Sequence, residues 1–154
     1  MHSITSEDHH VREVAADLAD RLTRFNEEHV GPLRTRHVAL TVRNEAGAIV
    51  AGLAGEQFWN ALYVHILWVD EGYRRQGYGA SLLRSTEEIA IGASCRCVYL
   101  STFEFQAPGF YAKQGYSLIG ELLGVPDGSR RQWFCKMLQN PDKASNLELP
   151  NRER

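Results

Sequence analysis

Residues 61–80 read ALYVHILWVDEGYRRQGYGA and decide the fold. The first part, Ala61–Val69, combines aromatic and β-branched side chains, which predicts a central strand buried on both faces. The polar stretch Asp70–Gln76 then leads into a helix from about Gly77 to Ile91, with an apolar face and Gly92 as its C′ residue. A strand joined in this way to a helix is typical of sheets that carry helices on their faces.

The elements on either side complete the predicted fold. Residues 7–29 carry the apolar periodicity of an amphipathic helix, for which Ser6 is the expected N-cap. Pro108 begins a short helix that stops at Gly115. The remaining strands are predicted over His37–Arg43, Ala48–Gly55, Arg96–Thr102, Tyr116–Leu123 and Arg131–Leu138. The fold class is therefore α/β (α+β): a β-α-β-α-β order preceded by a meander.

Length and composition indicate a single domain over residues 1–140, followed by a polar tail at 141–154 that we expect to be disordered. The chain has 154 residues, of which 44% are hydrophobic and 23% charged. A net charge of -2 and a pI near 6.3 argue against a nucleic-acid partner. No apolar run is long enough to span a membrane, and the polar start lacks a signal-peptide core. We therefore expect a cytoplasmic protein.

The three cysteines, Cys95, Cys97 and Cys135, have no CxxC spacing and lie in apolar stretches. Such residues are usually small hydrophobic side chains packed in a core, although a reactive or metal-binding role stays open. We predict no metal site.

The loop before the second helix has the composition of an anion site. The first N–H groups of a helix have no internal partner and carry partial positive charge. Gly77 and Gly79 let a phosphate approach the backbone closely, and Arg74 and Arg75 add charge. The alternative is a tight turn that simply needs glycine. The loop is neither a P-loop nor a complete dinucleotide fingerprint.

Two motifs then resemble those of one family. Arg74-x-x-Gly77-x-Gly79 is similar to the Arg/Gln-x-x-Gly-x-Gly/Ala signature of the GNAT superfamily of N-acetyltransferases. The segment from Ala107 to Tyr116 resembles a second family motif, Ala-x-x-Phe/Leu-Tyr-x-Lys-x-Gly-Phe/Tyr, in the family's order and spacing. With the flanking elements, the resemblance covers about residues 35–138.

The resemblance implies a mostly antiparallel, twisted sheet with a splayed central strand pair and flanking helices. It also implies acetyl-CoA as donor and coenzyme A as product. The pantetheine arm would contact the backbone of Leu67, Trp68 and Val69. The pyrophosphate would lie on the loop and helix start, formed by Arg74, Arg75, Gln76, Gly77, Tyr78, Gly79 and Ala80. One departure is Glu104, which stands where the family often has an asparagine that bonds the pantetheine.

Amide formation from a thioester needs a neutral amine, a stabilised oxyanion and a leaving thiolate. Tyr111 matches the family tyrosine that faces the thiol, and we predict it as acid or hydrogen-bond donor. His65 is the predicted base, on the strand face shared by Tyr63 and Leu67. The oxyanion would meet the Val69 N–H, as the resemblance implies. For Tyr111 and His65 the alternative is packing against or within the sheet.

The acceptor side is the least defined by sequence. Glu56, Glu71 and Glu104 are rival bases, and Glu56 and Glu104 could line the cleft. Four aromatic residues could shape an acceptor pocket, with core packing as the alternative: Trp59, Tyr63, Phe103 and Phe105. The predicted function is acetyl transfer to a primary amine of a small molecule by direct attack in a ternary complex. A protein or peptide N-acetyltransferase and a catalytically silent acyl-CoA-binding module are alternatives, and a homodimer is expected from the family.

Overall fold

The computed structural model describes residues 3–138, which divide into two compact units between Arg34 and Thr35. The first unit contains one helix, α1 (Val11–Val30). Its N-cap is His10 and not Ser6, because a turn closed by the His10 N–H on the Glu7 carbonyl precedes the helix. The Ser6 hydroxyl instead donates to Asp8 at 2.8 Å. The apolar periodicity predicted the helix, but no residue of α1 is buried.

The second unit is built on a six-stranded sheet in the spatial order β1-β2-β3-β4-β6-β5. Neighbouring strands are antiparallel except β3 and β4, which are parallel. The strands are β1 (Thr35–Arg43), β2 (Ile49–Phe58), β3 (Ala61–Val69), β4 (Cys97–Phe103), β5 (Ser117–Leu123) and β6 (Arg130–Met137). This mixed, mostly antiparallel sheet confirms the predicted fold class.

Two helices pack on one face of the sheet, which we call the first face. They are α2 (Tyr78–Gly92) and α3 (Pro108–Lys113). Leu82, Leu83 and Ala90 of α2 and Tyr111 of α3 share a buried cluster with strand residues that include Leu53, Leu62, Val64, Val98 and Leu100. Since side chains alternate along a strand, the intervening residues lie on the opposite, second face. They include Glu56, Tyr63, Tyr99, Ser101, Arg131 and Trp133.

The end of α2 differs from its prediction in one detail. Gly92 is the last helical residue, and Ser94 takes the left-handed conformation, with φ 58°. The chain turns there through a hydrogen bond from the Cys95 N–H to the Ala90 carbonyl. By contrast, Gly115 ends α3 in the left-handed region as expected, with φ 84°.

The central strand pair is splayed, as the resemblance implies. Parallel pairing of β3 with β4 runs from Ala61 opposite Cys97 to Val64 opposite Leu100, and it stops there. The rest of β3 therefore has no strand partner on its β4 side among the described residues.

A β-bulge lies where the splay begins. Ala54 of β2 is opposite Ile66, whereas Gly55 is opposite Val64, so His65 is the extra residue. A one-residue bulge reverses the side-chain alternation beyond it. Leu67 consequently packs against the core, and the predicted face shared by Tyr63, His65 and Leu67 is wrong for Leu67.

The cysteines lie in and beside the core. Cys95 is fully buried, and Cys97 and Cys135 are half-buried. Burial raises the pKa of the Cys95 thiol, and burial together with the neighbouring Cys97 raises the pKa of Cys135 to about 11. Cys95 and Cys135 therefore stay protonated near neutral pH.

Within residues 3–138, no helix is long and apolar enough to cross a membrane. The predicted tail at 141–154 lies outside the described residues, and the single domain over 1–140 stays a prediction.

Candidate active site

The loop between β3 and α2 is an ordered turn. A short 3-10 helix (Glu71–Tyr73) begins after Asp70, whose carboxylate accepts the Gly72 N–H at 3.0 Å. The Gln76 side-chain amide donates to the Gly72 carbonyl at 3.2 Å. Arg75 and Gly77 both lie in the left-handed region, with φ 62° and 87°. Such conformations direct successive backbone N–H groups towards a common point, as anion-binding loops do.

The N-terminus of α2 is open to a ligand. Gly77 is the N-cap, and no side chain caps the helix. A Cβ added at Gly77 would meet nothing within 4 Å, so the space in front of the helix is clear. Gly79 has a different role, since a Cβ there would lie 3.2 Å from Cζ of Phe110 and press α2 away from α3. The uncapped N–H groups and the helix dipole favour an anion at this end.

The two arginines of the loop are available to an anion. Arg74 and Arg75 are exposed, and within residues 3–138 neither forms an ion pair with a carboxylate. Nε of Arg74 donates to the Val69 carbonyl at 3.2 Å, which ties this side chain to the end of β3. Two guanidinium groups and an open helix end together suit a diphosphate.

The splayed edge of β3 offers backbone groups beside this loop. The Asp70 N–H donates to the Val50 carbonyl at 2.9 Å, which sets the alternation of the antiparallel ladder. In that register the backbone groups of Trp68 point to β2, and those of Leu67 and Val69 point to the splay. Of the three residues expected to contact the pantetheine, Leu67 and Val69 thus have backbone groups that point to the splay, while those of Trp68 point to β2.

Tyr111 lies in the core with its ring among other aromatic residues. The residue is only 8% exposed, and its ring centroid is 5.2 Å from that of Phe110 and 5.9 Å from that of Phe134. Burial raises the pKa of the Tyr111 phenol. The hydroxyl is therefore protonated at neutral pH and serves better as a hydrogen-bond donor than as a proton source.

Three of the expected residues meet on the second face. His65 Nε2 lies 3.7 Å from Oε2 of Glu56, with side chains 50% and 33% exposed. The Tyr63 ring contacts the His65 ring edge-on, with centroids 4.9 Å apart. We call these three residues the acceptor cluster. The bulge brings them together at the start of the splay.

Other expected residues lie elsewhere. Trp59 is in the β2–β3 turn, at the opposite end of β3 from the glycine loop, with φ 46°. Glu104 pairs with Arg130 at 3.1 Å, and Glu71 is exposed in the 3-10 helix. The Phe103 and Phe105 rings are stacked, 5.4 Å apart. None of the four aromatic candidates is among the residues of the buried core cluster.

The sequence did not indicate the residues that extend the acceptor cluster across the sheet. The Tyr63 hydroxyl lies 3.1 Å from Oγ of Ser101, and Arg131 donates to that same oxygen. Tyr99 packs its ring 4.8 Å from that of Tyr63. The usable signal was the two-residue alternation of β4 and β6, which places Ser101 opposite Trp133 on the second face.

Comparison with known proteins supports one family. The model of the acetyltransferase (GNAT) family matches residues 2–116. Acetyltransferase Atu2258 of Agrobacterium fabrum is 31% identical over 119 residues, which are 77% of this chain and 87% of that protein. Blasticidin-S acetyltransferase of Streptomyces morookaense is 39% identical over 95 residues, which are 61% of this chain and 70% of that protein.

A solved structure of an acetyltransferase has the same fold as this chain. The crystal structure of an acetyltransferase from Bacillus cereus superposes with a TM-score of 0.80 at 33% identity, covering 90% of this chain and 98% of that one. The open helix end, the two exposed loop arginines and the splayed strand edge fit a coenzyme A thioester. With the family match, they identify the chain as a member of the GNAT family and as an acetyl-CoA-dependent acetyltransferase.

Proposed function

We propose that this enzyme transfers the acetyl group of acetyl-CoA to a primary amine of a small molecule, by direct attack in a ternary complex. The observation that carries the proposal is the acceptor cluster. An imidazole and a carboxylate lie together at the bulge where β3 leaves β4, beside the edge that suits a thioester.

The donor would lie along the loop and the splayed edge. Its diphosphate would meet the N–H groups from Gly77 to Ala80, flanked by the charges of Arg74 and Arg75. Its pantetheine amides would bond the Leu67 backbone groups that point into the splay and the Val69 carbonyl, which already accepts one hydrogen bond from Arg74. The bound donor supplies an activated acyl carbon and a thiolate leaving group. In this arrangement the Val69 N–H is a candidate donor to the developing oxyanion.

His65 would accept the proton of the attacking amine, directly or through a water molecule. An ordinary amine with a pKa near 10.4 is mostly protonated at pH 7, and the neutral amine must lose a further proton as the amide forms, so a base positioned to accept protons assists the attack. Glu56, with Oε2 3.7 Å from Nε2 of His65, would hold the imidazole in position. The same carboxylate would attract a cationic acceptor to this end of the second face.

Tyr111 would donate a hydrogen bond to the departing sulfur. Burial raises its pKa, which makes complete proton transfer to a thiolate more costly. A hydrogen bond stabilises the developing negative charge without that transfer. The thiolate would then leave as an anion and take its proton from solvent.

A covalent route through a cysteine is disfavoured. The pKa of Cys135 is raised to about 11, and the fully buried Cys95 also has a raised pKa, so both are poor nucleophiles at neutral pH. Cys97 pairs with the first residue of β3, at the end remote from the glycine loop. Direct attack by the amine is therefore the simpler reaction.

A small acceptor is supported by one relative. Blasticidin-S acetyltransferase is named for a small molecule, and it shares 39% identity over 95 residues with this chain. A peptide acceptor and a silent module remain the alternative functions. The cytoplasmic location and the homodimer stay predictions.

The test is a steady-state assay of coenzyme A release with acetyl-CoA and a panel of amines and lysine-containing peptides. We expect turnover of small amines, with intersecting double-reciprocal lines, since both substrates bind before chemistry. Parallel lines would contradict direct attack, and turnover of peptides alone would contradict the small acceptor. Tight acetyl-CoA binding with no turnover of any acceptor would support the silent module instead.

A further inference from the structure

Arg131 presents an uncompensated charge on the second face. Its guanidinium carbon lies 5.5 Å from the centroid of the Phe103 ring and 5.3 Å from that of the Trp133 ring. No carboxylate lies within ion-pair distance of it among residues 3–138. The adjacent Arg130, by contrast, pairs with Glu104 at 3.1 Å and with Glu121 at 3.6 Å.

A neutral hydroxyl holds this guanidinium in place. Nε and Nη2 of Arg131 donate to Oγ of Ser101, at 3.1 and 2.8 Å. The same Ser101 oxygen lies 3.1 Å from the Tyr63 hydroxyl, in a hydrogen bond that either hydroxyl can donate. The Arg131 guanidinium carries donors only, which suits an anionic ligand.

The two ends of this row of side chains are opposite in charge. Arg131 is joined through Ser101 to Tyr63, and the Tyr63 ring contacts His65, which lies beside Glu56. Glu56 is on β2 and Arg131 on β6, three strand spacings of about 4.8 Å apart, with the splay between them. A molecule with an amine at one end and an anionic group at the other would match this pattern.

We propose that Arg131 binds a carboxylate of the acceptor, whose amine reacts at the acceptor cluster; the substrate class is thus a zwitterionic amino acid or a larger molecule carrying both groups. The inference rests on the proposed small-molecule function. The half-buried position of the guanidinium between two aromatic rings strengthens its interaction with an anion, because water screens the charge less there.

The experiment compares acceptors that differ only in the carboxylate. The pairs are γ-aminobutyrate with n-butylamine and ε-aminocaproate with n-hexylamine, and kcat/KM is measured for each. We expect at least one amino acid to exceed its amine partner by about tenfold or more, the usual effect of a hydrogen bond to a charged group. Arg131→Gln should lower kcat/KM for the amino acid to that of its amine partner. The kcat/KM for the amine itself and the KM for acetyl-CoA should not change. Arg131→Lys should restore part of the advantage of the amino acid.

Arg130→Gln is the matched control, since it removes the neighbouring charge and should keep the preference. A second readout needs no turnover: calorimetric binding of N-acetyl-ε-aminocaproate and N-hexylacetamide in the presence of coenzyme A. An Arg131-dependent preference for the carboxylate product there supports the inference even if no small amine is acetylated. The inference would be overturned if the wild-type protein showed equal kcat/KM and equal affinity for the two members of each pair. It would also be overturned if the preference for the carboxylate persisted in Arg131→Gln. A raised KM for acetyl-CoA in Arg131→Gln would also overturn it, because Arg131 would then bind the donor and not the acceptor.

Discussion

Two regions of the molecule depend on β3: the glycine loop before α2, and the acceptor cluster with the neighbouring Arg131. The first uses backbone groups to form its site, and the second uses side chains. The loop works through backbone: open N–H groups, left-handed conformations and a helix end without a cap. The second face works through side chains that come from β2, β3, β4 and β6. The first arrangement suits a constant ligand such as a diphosphate, and the second can change its ligand with single substitutions.

The comparison predicts that a substitution in the glycine loop weakens acetyl-CoA binding without changing acceptor binding on the second face, and the reverse. Gly77→Asp should produce the largest effect, because its carboxylate would occupy the space in front of α2 and repel a diphosphate. We expect acetyl-CoA affinity to fall by about 100-fold or more, equivalent to about 2.7 kcal/mol, as measured by calorimetry. Carboxylate binding at Arg131 should persist.

Gly47→Asp is the control for that substitution. Gly47 has φ 80° and clear space around it, close to the conformation of Gly77, but it lies in the β1–β2 turn. It imposes a similar backbone strain and should change acetyl-CoA affinity by less than about twofold. Equal losses for the two variants would mean that the effect reflects folding and not the site.

The loop was also the part that sequence could predict. Its glycines, arginines, strand and helix are contiguous from Val69 to Ala80, so their chemistry and order are visible together. The strands were likewise predicted from local patterns, whereas the splayed sheet was implied only by the resemblance of two motifs to the GNAT family. The bulge at His65 was not predicted, since nothing in ALYVHILWV marks the slip against β2.

The Arg131 network could not be predicted because its members meet only through strand pairing. Ser101 and Arg131 are 30 positions apart in the chain, and Tyr63 and Ser101 are 38 apart. The exposed face of α1 likewise could not be anticipated, since amphipathic periodicity predicts a helix but does not identify what covers it.

His65→Ala is the corresponding substitution in the acceptor cluster, and it removes the proposed general base. Loss of a general base typically costs about 100-fold or more, so kcat/KM for the best amine should fall to that extent at pH 7. Acetyl-CoA affinity should stay within about twofold of wild type, because the imidazole lies on the second face. The loss should shrink as pH rises towards the pKa of the amine, and a loss that is constant across pH would contradict the role as base.

Tyr111→Phe should give a smaller effect, on the chemical step and not on the binding of either substrate. Removing one hydrogen bond to a developing thiolate should lower kcat by about tenfold and leave both substrate affinities nearly unchanged. Because the ring stays packed against Phe110 and Phe134, the variant should fold normally. An unchanged kcat in single-turnover measurements would remove Tyr111 from the chemistry.

The smallest effect concerns three weak acids that are buried or half-buried, Tyr111, Tyr116 and Cys135. Burial raises the pKa of Tyr111 and Tyr116 and raises that of Cys135 to about 11. The unfolded chain loses these protons at lower pH than the folded one, so the free energy of unfolding should fall as pH rises above about 9. Urea unfolding between pH 7 and 10.5 checks this, and Cys135→Ala should flatten the slope. A slope that stays the same would exclude Cys135 as a contributor.

The most direct test of the two-region account is a backbone amide NMR titration of the wild-type protein with coenzyme A. We predict the largest shifts at Leu67, Val69 and residues 74–80, with little change at Ser101 and Arg131. Addition of N-acetyl-ε-aminocaproate should then shift Ser101, Arg131 and His65 and leave residues 74–80 unchanged. Coenzyme A shifts centred on Arg131, or none at residues 74–80, would contradict the division of β3 into a donor side and an acceptor side.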